Sequence, residues 1–168
     1  NMTGNVLLMH LNEGSGAKSF ADNSGRGNTG SCSGSQCPTV NSSGKFSNAF
    51  FFDGSGSNAN DDFITVPFSS SLNISSQITI ESWIYWYGDA GESANLQDIV
   101  ANGAWNRALR IAEPGHGQAN KILSHFTIGG SEKQLFSNQL IQTNRWYHIA
   151  TTYNGSDLIV YIDGRFDN

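Results

Sequence analysis

The stretch Ile78-Thr79-Ile80-Glu81-Ser82-Trp83-Ile84-Tyr85-Trp86 decides the fold class. Side chains along a β-strand alternate between faces with period two, so Ile78, Ile80, Ser82, Ile84 and Trp86 share one face, and Thr79, Glu81, Trp83 and Tyr85 the other. Two of the four tryptophans of the chain lie here. Apolar bulk on both faces predicts a long central strand between two packed layers or lining a concave surface, and hence a sandwich of sheets.

Further strands are legible on both sides of it. Towards the C-terminus, Trp146-Tyr-His-Ile-Ala-Thr-Thr-Tyr153 and Leu158-Ile-Val-Tyr-Ile162 flank Asn154-Gly155, a strong hairpin signal. Residues 122–128 and 134–141 read as a second hairpin over Gly129-Gly130, and Ile99-Val100 and Ala108-Leu-Arg-Ile111 as two short strands around the loop Asn102-Gly-Ala-Trp105. Towards the N-terminus, Val6-Leu-Leu-Met-His-Leu11 reads as a first strand, Phe50-Phe-Phe52 within residues 44–54 as a buried strand, and Phe63-Ile-Thr-Val66 as a short strand stopped by Pro67. No stretch of ten residues carries helical periodicity. The expected fold is all-β, an antiparallel two-sheet jelly-roll sandwich.

Composition bounds the function. A chain of 168 residues fits one domain, and 19 glycines with 14% charged residues describe many tight turns between short strands. The net charge of −5 argues against nucleic acid or an anionic membrane surface as partner. No run of about 18 apolar residues is present, so membrane insertion is not expected. Cys32 and Cys37 enclose a short flexible loop, and their disulfide would contribute roughly 2 kcal/mol by loop entropy. It also points to an oxidising, extracellular or cell-surface setting. Asp163-Gly164 reads as a hairpin turn four residues before the last residue, which predicts that the returning strand is missing and that residues 1–168 are one domain lacking its C-terminal strands.

The ordered series Leu7-Leu-Met-His-Leu-Asn-Glu-Gly-Ser-Gly16, Asp22-Asn-Ser-Gly-Arg-Gly-Asn-Thr-Gly30, Gly44-Lys-Phe-Ser-Asn-Ala-Phe-Phe-Phe-Asp-Gly54, Ile78-Thr-Ile-Glu-Ser-Trp83, Arg145-Trp-Tyr-His-Ile-Ala150 and Tyr161-Ile-Asp-Gly164 resembles the laminin-G-like jelly rolls of the concanavalin A-like lectin/glucanase superfamily. The resemblance implies a binding or adhesion module with further strands after the last turn. It also implies a structural calcium near the loop of Asp22, Asn23 and Asn28, whose oxygens and neighbouring glycines suit a hard cation. Asx-turn capping by Asp22 and Asn28 is the alternative for the same residues.

Retaining glycosidases of that superfamily need two carboxylates about 5 Å apart, and the central strand offers Glu81 alone. His10, His116, His125 and His148 are scattered, without transition-metal spacing. No enzyme is therefore expected. Trp86, Tyr87, Trp105, Arg107 and Arg110 are the candidate ligand surface, since aromatic faces with planar polar groups recognise sugars, while Trp83 and Trp146 are assigned to the core. Sequons occur at Asn1, Asn41, Asn73 and Asn154, the last at an exposed hairpin tip. The expected function is an extracellular module recognising carbohydrate or a cell-surface protein. The alternative is a structural module of a surface layer, repeat protein or filament, completed by a strand from another segment or a neighbouring chain.

Overall fold

The computed structural model describes residues 4–54, 61–88, 96–103, 107–112, 117–128 and 130–168. Among them there is no α-helix; all regular structure is antiparallel strand apart from two 3-10 turns, at Gly34–Gln36 and Ser70–Leu72. The chain divides into two compact units, Asn1–Asn73 and Ile74–Asn168.

The N-terminal unit is built from short pairings. Strands β1 (Ser19–Phe20) and β2 (Gly30–Ser31) pair, as do β3 (Thr39–Asn41) and β4 (Ala49–Phe51). Phe20 is fully buried and meets Phe50 edge to face at 5.1 Å. At Gly30 the backbone approaches so closely that a Cβ would lie 2.6 Å from Ile64 and 2.8 Å from Met9, a contact only glycine permits. Cys32 and Cys37 form the expected disulfide, with the 3-10 turn Gly34–Gln36 between them.

Three N-terminal expectations are corrected. Val6 to Leu11 is not a strand: Met9 makes an isolated bridge with Asp22, and Leu11, at φ 52°, turns out of the extended region. Phe63 to Val66 contributes one isolated bridge, Ser31 with Thr65. The aromatic run at Phe50 yields only three strand residues; Phe51 stays exposed on the face opposite Phe50, and Phe52, past the strand's end, is exposed as well.

The C-terminal unit holds two four-stranded sheets. The first runs β12-β11-β10-β5 and the second β6-β7-β8-β9. Their strands are β5 (Ile78–Trp86), β6 (Leu96–Asn102), β7 (Arg107–Ala112), β8 (Lys121–Ile128), β9 (Ser131–Leu140), β10 (Arg145–Tyr153), β11 (Leu158–Ile162) and β12 (Arg165–Phe166). Strands β5 and β10 pair over nine positions, from Trp86 opposite Arg145 to Ile78 opposite Tyr153. That register sends Ile80, Ile84, Trp86, Tyr147 and Ile149 to one side, where they join Leu109, Ile111, Ile122, Ile141, Val160 and Ile162 in a single apolar core. Two polar contacts cross it: the Trp86 indole N–H donates to Gln97 at 2.7 Å, and the Ser124 and Thr151 hydroxyls meet at 2.5 Å.

The strand at 78–86 has the expected bounds but not the expected position. Among the described residues it pairs with β10 alone. Central strands in the sense expected for it are β7 and β8, whose residues are buried on both faces. Trp83 is correspondingly 39% exposed rather than core, and Trp146 half-buried, since their amphipathic rings tolerate a partly wet face.

Both C-terminal hairpins form. The turn between β10 and β11 spans four residues, Asn154 to Asp157, rather than two. Asn154 Oδ1 accepts the amides of Ser156 (2.9 Å) and Asp157 (2.8 Å), which sets the longer loop. Asp163 (φ 51°) and Gly164 (φ 73°) make the two-residue turn, and the chain does return: β12 pairs with β11, Phe166 opposite Tyr161 and Arg165 opposite Ile162.

The Ser124 and Thr151 contact gives the test of this packing. Thr151→Val should leave the buried Ser124 hydroxyl without that partner and cost about 1–3 kcal/mol. In chemical denaturation the double variant Ser124→Ala/Thr151→Val should lose clearly less than the sum of the two single losses; strict additivity would show that the pair does not couple the sheets.

Candidate functional site

Asp22 organises its loop through its own oxygens. Oδ1 accepts the amides of Leu8 and Ser24, each at 2.9 Å, and Oδ2 accepts the Asn28 amide and the Ser24 hydroxyl, each at 2.8 Å. Burial pushes this carboxyl up, but the four hydrogen bonds outweigh it and hold it at about 2. Asn28 is buried, its amide donating to the Val6 carbonyl (2.7 Å) and to Ser71 (2.8 Å). These are the contacts of an Asx-type network. They are the hydrogen bonds of the Asx-turn alternative, and the Asn23 backbone amide adds one to the Leu8 carbonyl at 2.8 Å. Among the described residues no cluster of three or more His, Cys, Asp or Glu is placed to hold a metal.

Four of the five residues expected to form a ligand surface lie among the described residues, and they are placed as follows. Trp86 is 7% exposed, its N–H already committed to Gln97. Arg110 is 4% exposed and ion-paired with Asp98 across β6 and β7. Arg107 donates to the Ile74 carbonyl. Tyr87 is exposed and packs on Tyr85 at 5.0 Å. Trp105 lies outside the described residues, as does the central part of its loop. Burial of Trp86 and Arg110 follows from alternation and pairing: Trp86 shares the core face of β5, and Arg110 sits in a strand covered on both sides.

The face of the sheet opposite the core gathers a second set of aromatic and polar side chains. Opposite the core face, β5 presents Thr79, Glu81, Trp83 and Tyr85, and the register sets His148 beside Trp83 and Trp146 beside Tyr85. Trp83 and His148 rings lie 5.2 Å apart, Tyr85 and Trp146 5.5 Å. His148 Nε2 is 3.7 Å from the Glu81 carboxylate. On the same side β11 and β12 add Tyr161 and Phe166, ring centroids 6.4 Å apart. The alternation of residues 78–86 already grouped Glu81, Trp83 and Tyr85. What it could not show was how far each is covered: Trp83 is 39% exposed, Tyr85 and Trp146 half-buried.

Among the sequons, Asn1 lies outside the described residues. Asn41 accepts the Ser43 amide at 2.9 Å, and the Asn154 amide group is engaged in its turn, with Nδ2 donating to Asp157 at 3.2 Å. Asn73 is exposed at the end of the 3-10 turn Ser70–Leu72.

The lowered Asp22 carboxyl fixes a pH signature. Its folded value lies below its unfolded one, so its contribution is fully present above about pH 4 and is lost as pH falls through about 2. Solvent screening at this half-buried position reduces that contribution to the order of 1 kcal/mol. Asp22→Ala should lower stability at pH 7 by about 1–3 kcal/mol and flatten the acid limb between pH 4 and 2. Melting of the parent protein is expected to be the same in calcium and in chelator; a calcium-dependent rise abolished by Asp22→Ala would contradict the hydrogen-bond account.

Comparison with curated proteins and comparison with solved structures each found no match. A family profile described as the Concanavalin A-like lectin/glucanases superfamily, Laminin_G_3, matches residues 57–168, more than half of the chain. Domains of that kind are often extracellular binding modules and generally non-catalytic, although the wider superfamily includes glycosidases. With two antiparallel sheets, no α-helix among the described residues and that match across the C-terminal unit, the chain belongs to the concanavalin A-like lectin/glucanases superfamily, in its laminin-G-like group.

Proposed function

We propose that this chain is a non-catalytic extracellular module that binds carbohydrate on the open face of the β12-β11-β10-β5 sheet. The observation that supports it most is the juxtaposition of Trp83, Tyr85 and Trp146 with Glu81 and His148. The C–H face of a pyranose stacks on aromatic rings, and its hydroxyls take hydrogen bonds from an imidazole or give them to a carboxylate. Glycoside hydrolysis calls for a second carboxylate beside Glu81, whereas the register places Ala150 opposite it and His148 next to it. An extracellular setting is supported by the Cys32–Cys37 disulfide. No helix among the described residues is long and apolar enough to cross a membrane.

The alternative, a structural module completed by a neighbouring chain, draws on β5 having a single pairing partner among the described residues. A glycan array separates the two readings. Binding that falls about tenfold or more in Trp83→Ala, with melting unchanged, is the result expected of a sugar platform. Silence across the array at high protein density, with light scattering showing assembly, would favour the structural reading instead.

A further inference from the structure

The face of the β12-β11-β10-β5 sheet opposite the core carries aromatic rings on all four strands. On β5 and β10 the register sets Trp83 beside His148 and, two residues further along, Tyr85 beside Trp146. Tyr87 continues the row past the end of β5, its ring 5.0 Å from Tyr85. In the other direction Ala150 is opposite both Glu81 on β5 and Tyr161 on β11, and Tyr161 in turn is opposite Phe166 on β12. With only a methyl group at Ala150, no bulky β10 side chain separates the Trp83–His148 pair from the Tyr161–Phe166 pair.

Adjacent strands lie about 4.8 Å apart, so the three steps from β5 to β12 put Phe166 roughly 14 Å across the sheet from Trp83, more than the width of one sugar ring. The contact area is divided accordingly. Trp83 is 39% exposed, Tyr87 54% and Phe166 69%, with Tyr85 and Trp146 half-buried. A single pyranose covers one ring pair and leaves the rest wet, whereas a chain of several covers them in turn. Charge narrows the class further. The described strand positions of this face carry one carboxylate, Glu81, one imidazole, His148, and no lysine or arginine. A polyanionic chain would meet that carboxylate and a net charge of −5, with no cation on the face to offset them.

From this row we infer that the face takes a linear, uncharged oligosaccharide as an extended chain of several consecutive units, and not a single terminal sugar; the inference rests on the carbohydrate reading. Each ring pair stacks on the C–H face of one unit, and Glu81 and His148 exchange hydrogen bonds with the hydroxyls of the unit over Ala150. Affinity then accumulates along the chain, because each further unit adds its contacts without a second loss of translational and rotational freedom.

Calorimetric titration with the dimers and hexamers of β-1,4-linked glucose, xylose and mannose, and with hexagalacturonic acid as the charged control, tests it. At least one neutral hexamer is expected to bind about tenfold or more tightly than its own dimer, and the acidic hexamer to bind weakly. Phe166→Ala should lower that hexamer's affinity about three- to tenfold and leave the dimer's affinity and the melting temperature as they were, because the ring is exposed at the far end of the row. A dimer bound as tightly as its hexamer overturns the inference, as does silence of all three neutral hexamers, a hexamer affinity unmoved by Phe166→Ala, or hexagalacturonic acid bound as tightly as the neutral chains. The glycan array tells this failure from failure of the carbohydrate reading. Terminal sugars bound there and lost in Trp83→Ala leave the platform standing and remove the chain; no glycan of any length bound removes both.

Discussion

One register carries the C-terminal unit, the nine-position pairing of β5 with β10. Side chains alternate with a period of two, so a slip of β5 by a single residue would send Ile80, Ile84 and Trp86 to solvent and draw Glu81 and Trp83 inside. The core face makes that slip costly, since each of those large side chains contributes about 1.5–3 kcal/mol on burial. The open face is a by-product of the same choice. Trp83, Tyr85, Trp146 and His148 gather there because their strand neighbours are needed on the other side.

Strand content was legible wherever alternation ran for five residues or more, as at 78–86, 145–153 and 158–162, and hairpins wherever Asn-Gly or Asp-Gly intervened. Legibility failed in the N-terminal unit for a physical reason. There the polypeptide is held by single bridges, by Asp22 and Asn28 reaching distant backbone, and by glycine contacts such as Gly30 against Met9 and Ile64, none of which leaves a periodic pattern. Composition could not rank the tryptophans either. Trp83 and Trp86 are three residues apart on one strand, and only the sheet's position decides which of them is covered.

The second sheet shows how polar groups are kept inside a chain of this kind. Arg110 faces Asp98 across β6 and β7, and His125 on β8 lies 3.2 Å from Glu132 on β9. Burial lowers the His125 value, with Glu132 pulling it up and Arg110 pushing it further down, so the imidazole is favoured in its neutral form. Such groups add little net stability but penalise wrong pairings, because a shifted strand would strand a charge without its mate. Sites built on rigid strands inherit that discipline, which is why a handful of side chains on the open face can hold fixed spacings.

The disulfide closes a ring from Cys32 to Cys37, only five positions apart. A ring that small restrains the unfolded chain far less than a bridge joining distant strands would, and both sheets of the C-terminal unit are assembled without it. Reduction would therefore loosen one corner around the 3-10 turn Gly34–Gln36 and leave the apolar core of β5 to β11 as it is. The bridge is thus a clasp on one loop of the N-terminal unit and not a rivet through the sheets.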